Sequence, residues 1–97
     1  MSVQITCIKK DGGYHENPHT AISILGWYEP SSGKYGRATR LEMYEFVKQG
    51  NMAYVLDSFG NKAYLITAQT PYGTKYVKTK SDYTRTDNLL SLVECIG

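Results

Sequence analysis

Thr39 to Gly50, TRLEMYEFVKQG, is the stretch whose apolar residues recur most clearly at helical spacing, in a chain that mostly alternates at strand spacing or breaks into turns. Thr39 is placed as N-cap, with Glu42 three residues on able to reach back to the cap amide, and Gly50 supplies the stop. Met43, Tyr44, Phe46 and Val47 share one side of the wheel with Leu41 at its edge, while Glu42, Glu45 and Gln49 share the other. Early acidic residues and Lys48 in the last turn suit the helix dipole. A helix of roughly three turns is marginal alone in water, so this one requires a sheet to lie on.

The flanking sequence supplies strands. Ser2 to Lys10 alternates Val3, Ile5 and Cys7 against Gln4 and Thr6, the period of a half-buried strand. Asp11-Gly12-Gly13 opens a polar loop through Asn17-Pro18 that carries His15, with His19 at its exit. His19 to Tyr28 is a second strand, with Ile22 and Ile24 on one face and Ala21, Leu25 and Trp27 on the other; Gly26 inside it marks a bulge or a close backbone approach. Glu29 to Arg37, rich in Pro, Gly and Ser, has no apolar periodicity and reads as a surface loop leading to the Thr39 cap. Beyond the helix, Met52 to Asp57, Lys62 to Gln69 and Thr74 to Lys80 are strand runs joined by turns too short for a parallel crossover, which predicts an antiparallel meander. In the last segment Leu89, Leu92 and Val93 share a helical face, so a short closing helix or turn docks on the core.

The expected architecture is one α+β domain over residues 1–97: an antiparallel sheet of about five strands, the main helix packed on one face, and a short C-terminal helix or turn. The net charge of +2 is too small to argue for nucleic acid or an anionic membrane. No apolar run has signal-peptide or membrane-spanning length, which points to a soluble cytoplasmic protein with no membrane partner. The nine tyrosines are the compositional oddity and fit half-buried strands. Cys7 and Cys95, near opposite ends, do not form a dense disulfide pattern and read as two ordinary buried or half-buried thiols.

Candidate chemistry is sparse. Cys7, His15, His19 and Cys95 are ligand types that zinc prefers, yet the cysteines form no CxxC pair, and a Cys/His nucleophilic site has no local signature, so no metal, cofactor or catalytic residue is assigned. No glycine pattern offers a phosphate cradle. The best surface is the last strand and its exit. Tyr76, Lys78 and Lys80 project from one face and Tyr83 and Arg85 follow, a combination on which single-stranded nucleic acid can stack and be neutralised. The same lysines also suit an exposed strand that avoids edge pairing and covers neighbouring aromatics with its stems. His15, His19 and Trp27 complete the candidate surface, within the Tyr14 to His19 and Trp27 to Arg37 loops.

The order of features, Ile5-Thr6-Cys7-Ile8, a helix ending in Gly50, Tyr76-Val77-Lys78-Thr79 with Asp82, then Asn88-Leu89-Leu90-Ser91-Leu92, resembles a family of small bacterial proteins known only as domain of unknown function 3892. The likeness covers nearly the whole chain, with Val93 where the family pattern carries proline. It implies no activity, substrate or catalytic residue. The expected function is therefore a small non-enzymatic binding or accessory module that self-associates or meets a protein partner, with weak single-stranded nucleic-acid binding and a metal or thiol enzyme as the alternatives.

Overall fold

The helix forms where the sequence places it and its cap is closed from both directions. In the computed structural model, which describes residues 2–12, 19–56, 59–79, 89 and 92–95, α1 runs Arg40–Lys48. The Glu42 amide donates to the Thr39 hydroxyl at 3.1 Å, and the Thr39 amide donates to Glu42 Oε1 at 2.8 Å. Met43 and Tyr44 are buried, Phe46 and Val47 pack beside them, and Leu41 is exposed. The Asn51 side-chain amide donates to the Phe46 carbonyl at 3.0 Å and satisfies one acceptor at the far end.

This box carries a prediction. The hydrogen bond from the Thr39 amide, then that from its hydroxyl, holds the Glu42 carboxyl below its ordinary value. A carboxylate depressed in the folded state contributes stability above its unfolded pKa and loses it as pH falls through the folded one. Thr39→Ala is expected to cost about 0.5–2 kcal/mol at neutral pH, with a smaller cost at acid pH where Glu42 is protonated. Denaturant titration at both pH values checks this, and a pH-independent cost would mean that the Thr39 hydroxyl takes no part in holding the carboxylate ionised, leaving the backbone amide that alanine keeps.

Around α1 the strands are β1 Ser2–Lys10, β2 Ile22–Glu29, β3 Lys34–Thr39, β4 Met52–Leu56, β5 Lys62–Gln69 and β6 Lys75–Thr79. They form one sheet in the order β3-β2-β1-β4-β5-β6. The sheet has six strands rather than about five, because the expected Glu29 to Arg37 loop is instead a hairpin. Gly33 N–H closes its turn on the Glu29 carbonyl at 2.9 Å, and Lys34–Thr39 then pairs antiparallel with β2. β3 lies at the sheet edge and is held by main-chain pairing, so it needs no apolar alternation. The sheet is also mixed. The β4–β5–β6 meander is antiparallel as expected, but β1 and β4 are parallel, with Val3 opposite Ala53.

β5 passes from one neighbour to the next, pairing with β4 at Lys62 to Tyr64 and with β6 from Leu65 to Gln69. The helix packs against strands from β2 through β6. Lys75 on the far strand lies 5.6 Å over the Tyr44 ring, and the Arg40 guanidinium donates to the Thr20 carbonyl ahead of β2. Val3, Ile5, Ile8, Leu25, Val55, Leu65 and Val77 share one buried core with Met43 and Tyr44 of the helix, each fully buried aliphatic side chain contributing about 1.5–3 kcal/mol.

Two irregularities decide which residues face this core. β1 shifts register between Ile5 and Cys7, so Ile8 follows Ile5 inward and Cys7 turns to the outer face. A second shift at Lys9/Lys10 skips Ser23, so Ile22 joins Leu25 in the core while Ile24 is only half-buried. The expected pairing of Ile22 with Ile24 on one face is thereby corrected. At the C-terminus Leu89 is fully buried and Leu92 packs on the core, but Val93 is exposed, which removes it from the expected apolar face. The Ile8 amide donates to the Val93 carbonyl and the Cys95 amide to the Ile8 carbonyl, both at 3.0 Å, laying the end of the chain parallel to β1. Asp82 and Asn88, which belong to the order of features given above, lie outside the described residues.

Candidate functional site

The two cysteines that the sequence reading treats as separate thiols are joined. Cys7 and Cys95 form a disulfide across 88 positions, with Cα atoms 5.0 Å apart. Spacing gives no hint of this, since the pairing depends on the bulge that turns Cys7 outward and on the chain end returning beside β1. Neither sulfur is a thiolate in this state, so neither is a zinc ligand or a nucleophile alongside His15 or His19. Among the described residues no three His, Cys, Asp or Glu side chains are grouped to hold a metal ion.

Gly26 fits the disulfide. It stands opposite Cys7 in the ladder, and a Cβ there would run into Cys7 Sγ and lie 3.3 Å from Cys95 Sγ. The sequence marks Gly26 as a close approach but not what approaches it. Gly36 has the same relation to Trp27 on the neighbouring strand, where a Cβ would meet the indole at 2.8 Å. Two glycines thus bracket Trp27, leaving backbone floors where neighbouring side chains would stand.

Each side of the β2–β3 hairpin carries a depression of about 380 Å³, within the range of ligand clefts. On the helix side Val3, Trp27, Ala38, Met43 and Phe46 line an apolar cleft with Arg37 and Glu42 also on its wall. On the outer side Cys7, Gly26, Thr6, Tyr28, Tyr35 and Arg37 line a second, with Trp27 and Gly36 contributing to both the packing and the wall. The ladder builds this outer groove: Gly26 faces Cys7 on one side and Arg37 on the other, and Tyr28 stands between Gln4 and Tyr35. Tyr35 is 82% exposed.

The expected surface residues separate. Trp27 is half-buried against the core and lines both depressions, so it is a wall rather than a free contact. Tyr76 stacks on His19 with ring centroids 6.1 Å apart, which joins two candidates of different segments but occupies one face of the tyrosine. Tyr76 and Lys78 do share a side of β6, opposite Ala68 and Ile66, and both are half-buried. His15, Lys80, Tyr83 and Arg85 lie outside the described residues. Elsewhere lysines cover aromatics, as Lys62 does over Tyr54 at 4.6 Å. The sequence includes Tyr28 and Tyr35 only as unsingled members of the expected Trp27 to Arg37 contact region; the signal that marks them out is glycine on each side of an aromatic strand pair, at Gly26 and Gly36.

No helix among the described residues is long and apolar enough to cross a membrane. The family model described as "Protein of unknown function (DUF3892)" matches residues 4–93. No curated protein and no solved structure matches the chain.

Proposed function

The chain belongs to the DUF3892 family, whose description assigns no activity, and from that premise we propose that it is a non-enzymatic binding module that self-associates through β3. The observation carrying this reading is an edge strand of six residues whose side chains Lys34, Tyr35 and Arg37 are exposed. An antiparallel pair of β3 strands centred on Gly36 places the small residue against its own copy and sets each Tyr35 opposite the second copy's Arg37. A tyrosine ring facing a guanidinium is a favourable cross-strand pair, whereas centring on Arg37 would oppose like charges. The sheet would continue across the two-fold axis with its outer face still open to solvent.

The test is mass in solution. The full chain at about 100 µM, well above a Kd of ~10 µM for a weak homodimer, should scatter light at about 1.8 times the 10.9 kDa chain mass. Tyr35→Lys, which sets lysine against Arg37 twice, should be monomeric with unchanged circular dichroism. A monomeric parent chain at that concentration overturns the proposal. The single-stranded nucleic-acid alternative draws less support, since Tyr76 is stacked by His19 and Lys75 lies against Tyr44. A cytoplasmic location is compatible with the Cys7–Cys95 bond where the bond is made and broken in use, because standing disulfides belong to oxidising compartments.

A further inference from the structure

We propose that the Cys7–Cys95 disulfide is a latch on the C-terminal segment, opened by a small anionic thiol that enters the outer groove and attacks Cys7. The inference does not rest on self-association, because the groove is complete within one chain.

Three observations converge on it. The bond is approachable from the groove: Cys7 is half-buried and lines it, while Cys95 is 6% exposed and does not. Gly26, directly across from Cys7, has no side chain to stand over the sulfurs. Arg37, beyond Gly26 in the same cross-strand row, is the one charged residue on the groove wall among the described residues, and its cation raises the local concentration of an anionic nucleophile.

The exchange balances as ordinary thiol chemistry. The incoming thiolate bonds to Cys7 Sγ, the Sγ–Sγ bond breaks, and Cys95 leaves as a thiolate that takes a proton from water. A second thiolate attacks the sulfur of the small thiol held on Cys7, forming a small-molecule disulfide and releasing the Cys7 thiolate. Two thiols are oxidised and the protein pair is reduced by two electrons. Cys95 is then held only by its neighbours, among them the two hydrogen bonds that tie Val93 and Cys95 to Ile8.

The oxidised full chain is treated with 2-mercaptoethanesulfonate, 2-mercaptoethanol or cysteamine. Rates are normalised to thiolate concentration and to each thiol's rate against oxidised 2-mercaptoethanol, a neutral reference disulfide. The anionic probe should outrun the cationic one by about five- to ten-fold relative to that reference, and Arg37→Gln should abolish the preference. Arg37→Glu should reverse it. Mass mapping should find the first adduct on Cys7, and after reduction the Ile8 amide should gain at least about ten-fold more in exchange rate than the Leu25 amide, which follows the global loss of stability. A rate independent of thiol concentration, a first adduct on Cys95, equal rates for the two charged probes, or an Ile8 amide that gains no more than Leu25 would each overturn the latch.

Discussion

Replacing Cys7 and Cys95 together by serine is expected to lower the unfolding free energy by about 3–4.5 kcal/mol and the melting temperature by about 15–25 °C. The bond closes a loop with a sequence separation of 88, nearly the whole chain. In the loop-closure description a ring of this size removes about 4.6 kcal/mol of entropy from the unfolded ensemble, an upper figure because real unfolded chains keep some structure. The effect acts mainly through the unfolded state, so the double variant should retain its helix signal, and mild reduction of the parent should reproduce its loss to within about 0.5 kcal/mol. Leu89 supplies an internal control. It is fully buried in the same segment, and Leu89→Ala should cost about 2–5 kcal/mol through the cavity it leaves, whether the cysteines are paired or not. Guanidinium titration of oxidised and reduced protein measures the difference, and a disulfide contribution under about 1 kcal/mol would contradict the loop argument.

What the sequence disclosed follows the range of the interaction. The Thr39/Glu42 box is a contact between residues three apart, and it is present atom for atom. The β4–β5–β6 meander was legible because short turns leave antiparallel pairing as the only option. β3 was not legible, since an edge strand such as KYGRAT is specified by the hairpin that precedes it and by main-chain bonds rather than by an apolar pattern. The parallel β1–β4 contact depends on a crossover through two strands and a helix, and no local pattern encodes it. The disulfide was hidden for two reasons together: its separation of 88 positions, and a bulge that breaks the alternation which made Cys7 look core-facing. The candidate site was accordingly seen in pieces. Trp27 was found as an aromatic among loop signals and the Trp27 to Arg37 segment as a contact region, but the groove exists only once β3 pairs with β2 and brings Arg37 beside Gly26.

Gly26→Ala is expected to destabilise the oxidised protein by about 2–3 kcal/mol, the upper part of the range for overpacking a tight site. Most glycine-to-alanine changes in a strand should help, because alanine has less backbone freedom to lose, by about 0.4–1 kcal/mol. Here the new methyl would overlap Cys7 Sγ and press on Cys95 Sγ, and neither sulfur can swing aside while they are bonded to each other. The cost therefore belongs to the crosslink and not to the strand. In the Cys7→Ser, Cys95→Ser background the two hydroxyls can rotate independently, so the same substitution should cost less than about 1 kcal/mol or become favourable. The cycle predicts a coupling of about 1–3 kcal/mol between position 26 and the cysteine pair. Additive effects would mean that Gly26 is required for pairing with β1 or β3 in its own right. A large coupling ties the glycine to the disulfide, which makes Gly26, Cys7 and Cys95 one structural unit spread over both ends of the chain.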